Sequence, residues 1–279
     1  TFIHPDFLNS TANKHIPRFL STKLSRQEFE VLLAEVRKEG MVTMATPFDE
    51  ASVDTCADLD VEVVKVASCS AKDWPLLEKI ASVRKPVIVS TGGLTIKEID
   101  NLVSFFEHRY VDFALMHCVA IYPTPDAKLE LNQVELMRRR YPQLTIGFST
   151  HEEPDNTTAI QVAYAKGARI FERHVGIATP TVKLNAYSST PEQIRAWLIA
   201  YKKSVVTCGS EDGRIIDEDE RRDLGTLMRG VYAKHDIAEG EVLGEDDVFY
   251  AIPRQDDQLT SGEFRVGSTA DRAYREKEA

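Results

Sequence analysis

The chain has 279 residues, a hydrophobic content of 43% and a formal net charge of -10 at pH 7, with a pI of about 5.3. These values are those of a folded globular protein and exclude a disordered one. The acidic balance argues against a nucleic-acid or membrane-surface binder, although a few local cations could still bind an anionic substrate. No apolar run approaches the roughly 20 residues of a membrane helix, and no signal peptide is recognisable.

The cysteines show no C-x-x-C spacing, and three of the four lie in or beside apolar segments. This usage is typical of reduced thiols that contribute to a core rather than to a disulfide framework. We therefore expect a cytoplasmic protein whose thiols are reduced and mostly buried. The cysteines are Cys56, Cys69, Cys118 and Cys208.

The middle of the chain alternates short apolar runs with helical patterns, which is the βα rhythm of an α/β protein. Most of the runs are rich in valine and isoleucine without clean alternation, as is typical of parallel strands that are covered on both faces. The six predicted strands lie within residues 41–48, 61–68, 86–93, 111–119, 144–150 and 168–175.

Helix start and stop signals separate these runs. Capping-box patterns, in which a small polar residue is followed three positions later by a glutamate, begin at Ser25, Thr95 and Asn132. Thr190 before Pro191 predicts another helix start, and Gly167 is placed to end a helix over 155–166.

A doubly wound sheet and a (β/α)8 TIM barrel both fit this rhythm, and the polar residues at the strand ends distinguish them. Function spread over the carboxyl ends of many strands is typical of the barrel, whereas a doubly wound sheet concentrates its ligand site at one switch point. No nucleotide-binding glycine motif is present. We therefore predict the barrel, of whose eight strands six are recognisable. The polar strand-end residues are Thr46, Lys65, Ser68, Ser90, Thr91, His117, Ser149, His151 and His174.

A polar, acidic stretch follows the last predicted helix and precedes a second pattern of short strands and turns. We assign residues 1–212 to the barrel, 213–227 to a linker and 228–279 to a small β-rich module with its tail. The acidic run 216–223 is expected to be a solvated surface. The polar residues at the end of the chain are expected to be loosely ordered.

The strongest candidates for chemistry are His151 and His174, which end consecutive predicted strands and would face one another across the mouth of a barrel. Two neutral imidazoles there, beside Ser149 and Glu172, could hold a divalent metal ion and leave room for a substrate oxygen. The alternative is that each is only a hydrogen-bonded histidine at a strand end.

Lys65 lies inside an otherwise apolar strand, where a buried ammonium group is costly unless it meets an anion. A phosphate or carboxylate is the natural partner, and the hydroxyl groups of Ser68 and Thr46 could add donors. The alternative is an ion pair with a structural carboxylate such as Glu62 or Asp60.

Three further features have weaker interpretations. The small residues at 90–93 would let the backbone approach a ligand, but such turns are common in structural loops. His117 is expected to be a core histidine because it lies within an apolar run. Tyr122, in a stiff Y-P-T-P loop, would either line a sugar pocket or simply pack.

Six strings, taken in order, resemble the barrel of the sialic acid synthase family: ATPFDEASVD, VVKVAS, KPVIVSTGGLTIKEI, LMHCVAIYPTP, IGFSTH and ERHV. The later segment RGVYAKHDIAEGEVLGEDDV resembles the C-terminal antifreeze-like (SAF) module of that family. The resemblance extends over about residues 41–253. Its specificity lies in the ordered set of motifs, since no single motif is diagnostic.

The resemblance implies a cytoplasmic enzyme that condenses phosphoenolpyruvate with an N-acetylated hexosamine such as N-acetylmannosamine. The product would be a nonulosonic acid for surface polysaccharide biosynthesis. In such a mechanism a divalent ion, usually manganese with magnesium as the alternative, polarises the aldehyde of the open-chain sugar. The enol carbon of phosphoenolpyruvate attacks that aldehyde, water adds to the resulting cation, and phosphate leaves.

The resemblance also implies residue roles. His151 and His174 match the metal ligands and, with Lys65, would form the catalytic centre. Tyr122 matches a residue that lines the sugar pocket, and Arg229 matches an arginine that reaches into the partner's barrel in a domain-swapped homodimer. The positions that match phosphoenolpyruvate ligands are Thr46, Lys65, Ser68 and Ser149.

The sugar-facing half departs from the family pattern. Ser70 stands where a glutamate that touches the sugar is usual, and Ala120 stands where an asparagine is expected. Thr150 replaces an aspartate that would support the histidine, and Asn185 lies nearest to an expected acidic residue. These changes suggest a different acceptor sugar. They also favour the alternative of a non-catalytic or altered-specificity homologue that binds phosphoenolpyruvate or sugar.

The first two strands of the family have no recognisable counterpart, so the six predicted strands would correspond to its third to eighth. We therefore expect this chain to lack the site residues that those two strands carry, and to be inactive as it stands. A barrel synthase or aldolase for arabinose or erythrose phosphates is a second enzyme hypothesis. The C-terminal module argues against it, because those enzymes lack such a module.

Overall fold

The computed structural model describes residues 3–9, 13, 15–180 and 182–279. The chain forms two compact units, one that ends at Cys208 and a second over Gly209–Ala279. The segment 213–227, predicted as a linker, is largely helical and belongs to the second unit. None of the residues of its helix is buried, so the acidic run lies on a solvated surface.

The first unit is built on a parallel sheet whose six strands follow one another in chain order. A strictly sequential order has no switch point, which distinguishes this sheet from the doubly wound alternative and is consistent with part of a TIM barrel. Each strand lies within a predicted segment. The strands are β1 (Met44–Ala45), β2 (Val63–Val66), β3 (Val87–Ser90), β4 (Phe113–Cys118), β5 (Ile146–Thr150) and β6 (Ile170–Arg173).

Eight helices accompany the sheet in the described part of this unit. They are α1 (His15–Ser21), α2 (Arg26–Lys38), α3 (Glu50–Asp58), α4 (Trp74–Ser82), α5 (Ile96–Glu107), α6 (Asn132–Arg140), α7 (Thr158–Ala165) and α8 (Pro191–Cys208). Short 3-10 turns lie at Pro5–Phe7, Ser68–Ser70 and Asp126–Lys128.

The predicted capping boxes at Ser25 and Thr95 are confirmed. Each of these side chains accepts the backbone N–H of the glutamate three residues later, and that glutamate side chain accepts the backbone N–H of the capping residue. Thr190 exchanges equivalent bonds with Gln193. The box predicted at Asn132 is wrong, because Asn132 already lies in the helix and no side chain caps it. Gly167, with φ of +102°, follows the end of α7 as predicted.

The two faces of the sheet differ in chemistry, because side chains of successive strand residues point to opposite sides. One face packs on helices α3 to α7 in a continuous hydrophobic core, which supplies most of the stability of this unit. The other face turns polar toward the carboxyl ends of the strands. Core side chains of the first face include Val64, Val66, Val87, Val89, Leu115 and Phe148.

The second unit begins with α9 (Glu218–Leu227) and contains an antiparallel pair, β7 (Gly230–Ala233) and β8 (Val248–Ala251). The expectation of a loosely ordered tail is wrong. Tyr274 forms a backbone bridge with Ile237, and Ala270 is buried in the small core of this unit. The tail is ordered because its backbone groups pair with those of the module.

The structure bears on two expectations drawn from composition, the burial of the cysteines and the lack of a membrane helix. Cys56 and Cys118 are buried, but Cys69 and Cys208 are exposed, so the expectation of mostly buried thiols is only half right. All four cysteines are free. In the part of the chain that the structure describes, no helix combines the length and the apolar character that a membrane crossing would need.

Candidate active site

A row of polar side chains lies on the second face of the sheet, at the carboxyl ends of strands β2 to β6. The register places Cys118 beside Ser149 and Ser149 beside Glu172. Residues two apart on a strand share a face, so the row continues into the residues just beyond the strand ends. Its members are Lys65, Ser90, Cys118, Ser149, His151, Glu172 and His174.

Lys65 is the cation of this row and is only 4% exposed. Its Nζ donates to Ser90 Oγ at 2.6 Å and lies 3.4 Å from Glu172 Oε2. Glu172 keeps 33% of its side-chain surface in contact with solvent, so its carboxylate is partly hydrated. A buried ammonium with one partly hydrated counterion is a favourable place for an anionic ligand.

The structural carboxylates proposed as alternatives do not pair with Lys65. Glu62 accepts hydrogen bonds from the backbone N–H and the hydroxyl of Thr43, and Asp60 pairs with Lys85 at 2.9 Å. Both acids precede β2, whereas Lys65 lies near its carboxyl end and points into the polar row. The alternative interpretation is therefore wrong for these two residues, and Glu172 takes their place.

The small-residue loop after β3 has a specific packing role. Ser68 Oγ accepts the backbone N–H of Gly92 at 2.9 Å. A Cβ atom on Gly92 would lie 2.8 Å from that oxygen, closer than real Cβ atoms come, and in a tight contact of 3.2 Å with Cys118 Sγ. Glycine at this position therefore holds the Ser68 hydroxyl beside the row, although the sequence pattern alone was a weak signal.

His151 and His174 are brought together as predicted, with ring centres 5.2 Å apart. Burial lowers the pKa of His151 to about 4, so its imidazole is neutral at physiological pH. Its Nδ1 donates to the Val119 carbonyl at 3.2 Å, which leaves the Nε2 lone pair available. Burial also lowers the pKa of His174, and Arg18 of α1 adds to that lowering while Glu172 opposes it.

The donor set can be tested against a divalent metal ion. Neutral imidazoles are metal ligands, and a site with only two of them leaves coordination positions for substrate or water oxygen. Among the described residues, no group of three or more His, Cys, Asp and Glu side chains forms a preformed metal cage. The two histidines therefore fit an open site rather than a closed structural one.

Two tyrosines extend the histidine pair into an aromatic cluster. The ring centre of Tyr122 lies 4.4 Å from that of His151 and 5.2 Å from that of Tyr187, which in turn lies 5.0 Å from His174. Tyr122 remains 52% exposed. Sequence reasoning missed Tyr187, because one aromatic residue shortly before a helix start carries no specific signal.

The other predicted site residues are less closely engaged. Thr46 is exposed just after β1, and Ser70 is buried with its Oγ 4.0 Å from Cys69 Sγ. Asn185 Oδ1 accepts the backbone N–H of Tyr187 at 3.2 Å and so shapes that loop. Arg229 belongs to the second unit, where it is exposed and lies 5.8 Å from the ring centre of Tyr250.

His117 is the core histidine that the sequence predicted. It is buried on the helix-facing side of β4, and its Nε2 donates to the Leu129 carbonyl at 2.7 Å. Its ring stacks on Phe148 with centres 6.0 Å apart. Burial lowers its pKa, so the neutral imidazole belongs to the core and not to the site.

Comparison with known proteins places this geometry in a family. The chain is similar to a protein from Chromobacterium violaceum assigned as spore coat polysaccharide biosynthesis protein E. The identity is 42% and the TM-score 0.94, over 99% of this chain and 83% of that one. The N,N'-diacetyllegionaminic acid synthase of Campylobacter jejuni is 24% identical over 98% of this chain and 83% of its own length.

The N-acetylneuraminate-9-phosphate synthase of Drosophila melanogaster is 34% identical over 153 residues, which span 54% of this chain and 41% of that protein. The model of the NeuB family matches residues 6–211, which hold the whole polar row and both histidines. The resemblance drawn from the sequence motifs is therefore confirmed. The chain belongs to the NeuB family, among whose members are the sialic acid and legionaminic acid synthases named here.

Proposed function

We propose that the protein condenses phosphoenolpyruvate with an N-acetylated hexosamine, forming a nonulosonic acid for surface polysaccharide biosynthesis and releasing phosphate. The observation that carries the proposal is the shared face on which a buried lysine adjoins two neutral imidazoles. This arrangement can bind an anion and a divalent cation side by side. Related synthases form products of this class, as their names state.

The anion-binding half would receive phosphoenolpyruvate. Lys65 supplies the positive charge, and after the contacts with Ser90 Oγ and the Val66 carbonyl its ammonium group has one N–H left, beside Glu172, for an anionic ligand. Ser149 in the row and Ser68 beside it can donate their hydroxyl protons to phosphate or carboxylate oxygens. Thr46, which is exposed after β1, would add a hydroxyl group from the edge of the site.

The histidine half would hold the metal ion, which we propose to be Mn²⁺ with Mg²⁺ as the alternative. When bound, such an ion supplies Lewis-acid polarisation of the sugar aldehyde. His151 and His174 would hold it through their free ring nitrogens. Burial keeps both rings neutral, so a proton does not compete with the metal at physiological pH.

The acceptor half would bind the open-chain sugar between Tyr122 and Tyr187, whose rings can pack on the apolar face of a sugar. Asn185 keeps that loop in place, and Ser70 replaces the family glutamate with a small buried hydroxyl group. With fewer polar groups than the family pattern provides, this half would favour an acceptor that presents less hydrogen-bonding surface than N-acetylmannosamine.

The second unit would be the SAF module of a cytoplasmic, domain-swapped homodimer, in which Arg229 contacts the sugar in the partner's barrel. Mixing two inactive variants, Lys65→Met and Arg229→Ala, tests this arrangement. A swapped dimer restores about a quarter of the sites, because one site of each mixed dimer escapes both substitutions. Failure to restore any activity after exchange of subunits would exclude the swap.

The function is tested by screening N-acetylated hexosamines with the full-length protein, phosphoenolpyruvate and Mn²⁺, and by detecting the keto-acid product. We expect at least one aldose to give product and an equal amount of phosphate, and chelation of the metal to stop both. Complete absence of product with every aldose would remove the catalytic proposal.

One observation favours a second candidate, a non-catalytic homologue that binds phosphoenolpyruvate or sugar. The hydroxyl group of Thr150 is buried without a hydrogen-bond partner, at a position where the family pattern has an aspartate supporting the histidine. Binding alone does not distinguish the candidates, since a non-catalytic homologue would keep Lys65. Product formation in the same screen decides between them.

A further inference from the structure

A buried ion pair lies directly behind the two histidines. Arg173 Nη1 donates to Glu152 Oε1 at 2.5 Å, and the two side chains are 2% and 0% exposed. Glu152 follows His151 in the chain, and Arg173 precedes His174. The pair therefore connects the residues next to both candidate metal ligands.

The sheet register explains why the pair lies on the far side of the histidines. Thr150 is paired with Arg173, so the next residues along the chain, His151 and His174, emerge together on the polar face. Alternation turns Arg173 and Glu152 toward the opposite, helix-facing side. The ion pair thus acts on the backbone of β5 and β6 without entering the site.

Arg173 holds more than one segment. Its Nε donates to Ser189 Oγ at 2.6 Å and its Nη2 to the Glu153 carbonyl at 3.0 Å. Ser189 in turn donates its backbone N–H to the His174 carbonyl at 2.9 Å. One guanidinium group therefore fixes the segments that carry both imidazoles, in a fork geometry that only arginine provides.

The cluster around Arg173 is not optimised for stability. In the described part of the chain, three buried side-chain atoms lack a hydrogen-bond partner, and they are Thr150 Oγ1, Glu152 Oε2 and Trp197 Nε1. All three belong to neighbours of Arg173, whose Cζ lies 5.8 Å from the Trp197 ring centre. Burying an ion pair with unpaired atoms costs free energy that an apolar cluster would avoid.

We propose that Arg173 and Glu152 are positioning residues, which fix the spacing and orientation of the His151 and His174 rings for a divalent ion. This inference rests on the proposed metal site. The ion pair takes over the support that a carboxylate hydrogen-bonded to a ligand would otherwise give. Its cost in stability is then the cost of holding two ligands in one geometry.

The test measures Mn²⁺ affinity directly, by the electron paramagnetic resonance signal of free Mn²⁺ during titration of the full chain. Removing one charge would leave the other buried and unpaired, so the main variant removes both, Arg173→Met with Glu152→Met. We expect its Kd for Mn²⁺ to rise about 10- to 100-fold, the effect typical of residues that support metal ligands. The matched control is Arg140→Met with Asp100→Met, a paired arginine and aspartate that join α6 to α5.

A second variant guards against misfolding of the first. Arg173→Lys keeps the positive charge beside Glu152 but loses the fork, and we expect it to weaken Mn²⁺ binding about tenfold. A purely structural role predicts a lower Tm with unchanged Mn²⁺ affinity in both variants, and that result would overturn the inference. Wild-type protein that binds no Mn²⁺ would instead overturn the metal site and the positioning role together.

Discussion

Site residues on strands and site residues on loops differ in how firmly they are held. Lys65 and His151 are 4% and 8% exposed. Lys65 donates a hydrogen bond to Ser90, and His151 donates one to the Val119 carbonyl. Tyr122 is 52% exposed and Asn185 lies in a loop of the acceptor half, and Thr46, at the edge of the anion-binding half, is also exposed. Lys65 and His151 are therefore preorganised, whereas the exposed His174 and Thr46 and the loops of the acceptor half are held less firmly.

This difference accounts for two of the four positions at which the sequence departs from the pattern that the resemblance implies. Ala120 and Asn185, which depart from it on the sugar side, lie in loops and can change without disturbing the core. Two further departures lie nearer the core. Ser70 fills a buried turn, and Thr150 ends β5 on the helix-facing side, where Arg173 and Glu152 fill the space around it. These two positions are therefore constrained by their buried surroundings, whereas Ala120 and Asn185 are not.

The largest expected effect comes from removing a proposed metal ligand. His174→Ala should lower metal-dependent phosphate release by the full-length protein about 1,000-fold, since Lewis-acid assistance is worth several kcal/mol. His108→Ala, at the exposed end of α5, is the matched control and should retain activity. Equal activity of the two variants would show that His174 takes no part in the reaction.

Gly92→Ala tests whether the loop after β3 is as rigid as the strands. The added Cβ would meet Ser68 Oγ at 2.8 Å, so the hydroxyl must move or the loop must shift. We expect phosphoenolpyruvate affinity, measured by calorimetry, to fall about tenfold or more, because the displaced Ser68 hydroxyl would lose a hydrogen bond to a charged oxygen worth about 1.5 kcal/mol or more. Gly225→Ala has open space around it and should leave affinity unchanged.

Substitutions in the acceptor half should separate the two halves kinetically. Tyr187→Ala removes one ring of the cluster and should raise the KM for the acceptor sugar up to about tenfold, because an aromatic contact is worth 0.5–1.5 kcal/mol. The KM for phosphoenolpyruvate should not change, and Tyr187→Phe should behave like the wild type. A parallel rise in both KM values would show that the halves are coupled.

The smallest expected effect is on the pH dependence of folding stability, through His117 on the helix-facing side of β4. Burial lowers the pKa of His117, so the unfolded state binds its proton first as the pH falls below the ordinary value of about 6.5. Stability is therefore lost as the pH falls, with a slope of at most about 1.4 kcal/mol per pH unit from this group. Denaturation at pH 7 and pH 5 should show a flatter dependence for His117→Gln, and an identical slope would contradict the assignment.

The strands and the site histidines could be predicted from the sequence because their signals are local. Apolar runs mark parallel strands, and a histidine after each of two such runs must lie at the same edge of a sheet. The partner of Lys65 could not be predicted, because Glu172 lies on β6, far from β2 in the chain and separated from it by three strands, and reaches Lys65 only across the curled sheet. Arg173 and Glu152 gave no signal, because they meet only through the register of β5 and β6.

Other errors have local physical causes. Asn132 has a capping-box pattern, yet it lies inside the helix. The first backbone N–H groups of the helix, those of Gln133 and Val134, already donate to the carbonyls of Glu130 and Leu131, so no side-chain cap is needed. The polar tail looked disordered because its order comes from backbone pairing with β-bridge partners, which composition does not reveal. Cys208 ends the amphipathic helix α8 on its exposed side, although an apolar run precedes it.

Lys65, the proposed anion-binding cation, is the residue on which phosphoenolpyruvate binding should depend most. This role is tested directly by calorimetric titration of phosphoenolpyruvate into the Lys65→Met protein. The control is Lys85→Met, which removes a lysine that pairs with Asp60 ahead of β2. We predict a loss of affinity of about 100-fold or more for Lys65→Met, as expected for removal of a buried charged contact, and wild-type affinity for Lys85→Met. Wild-type affinity in the folded Lys65→Met protein would contradict the account.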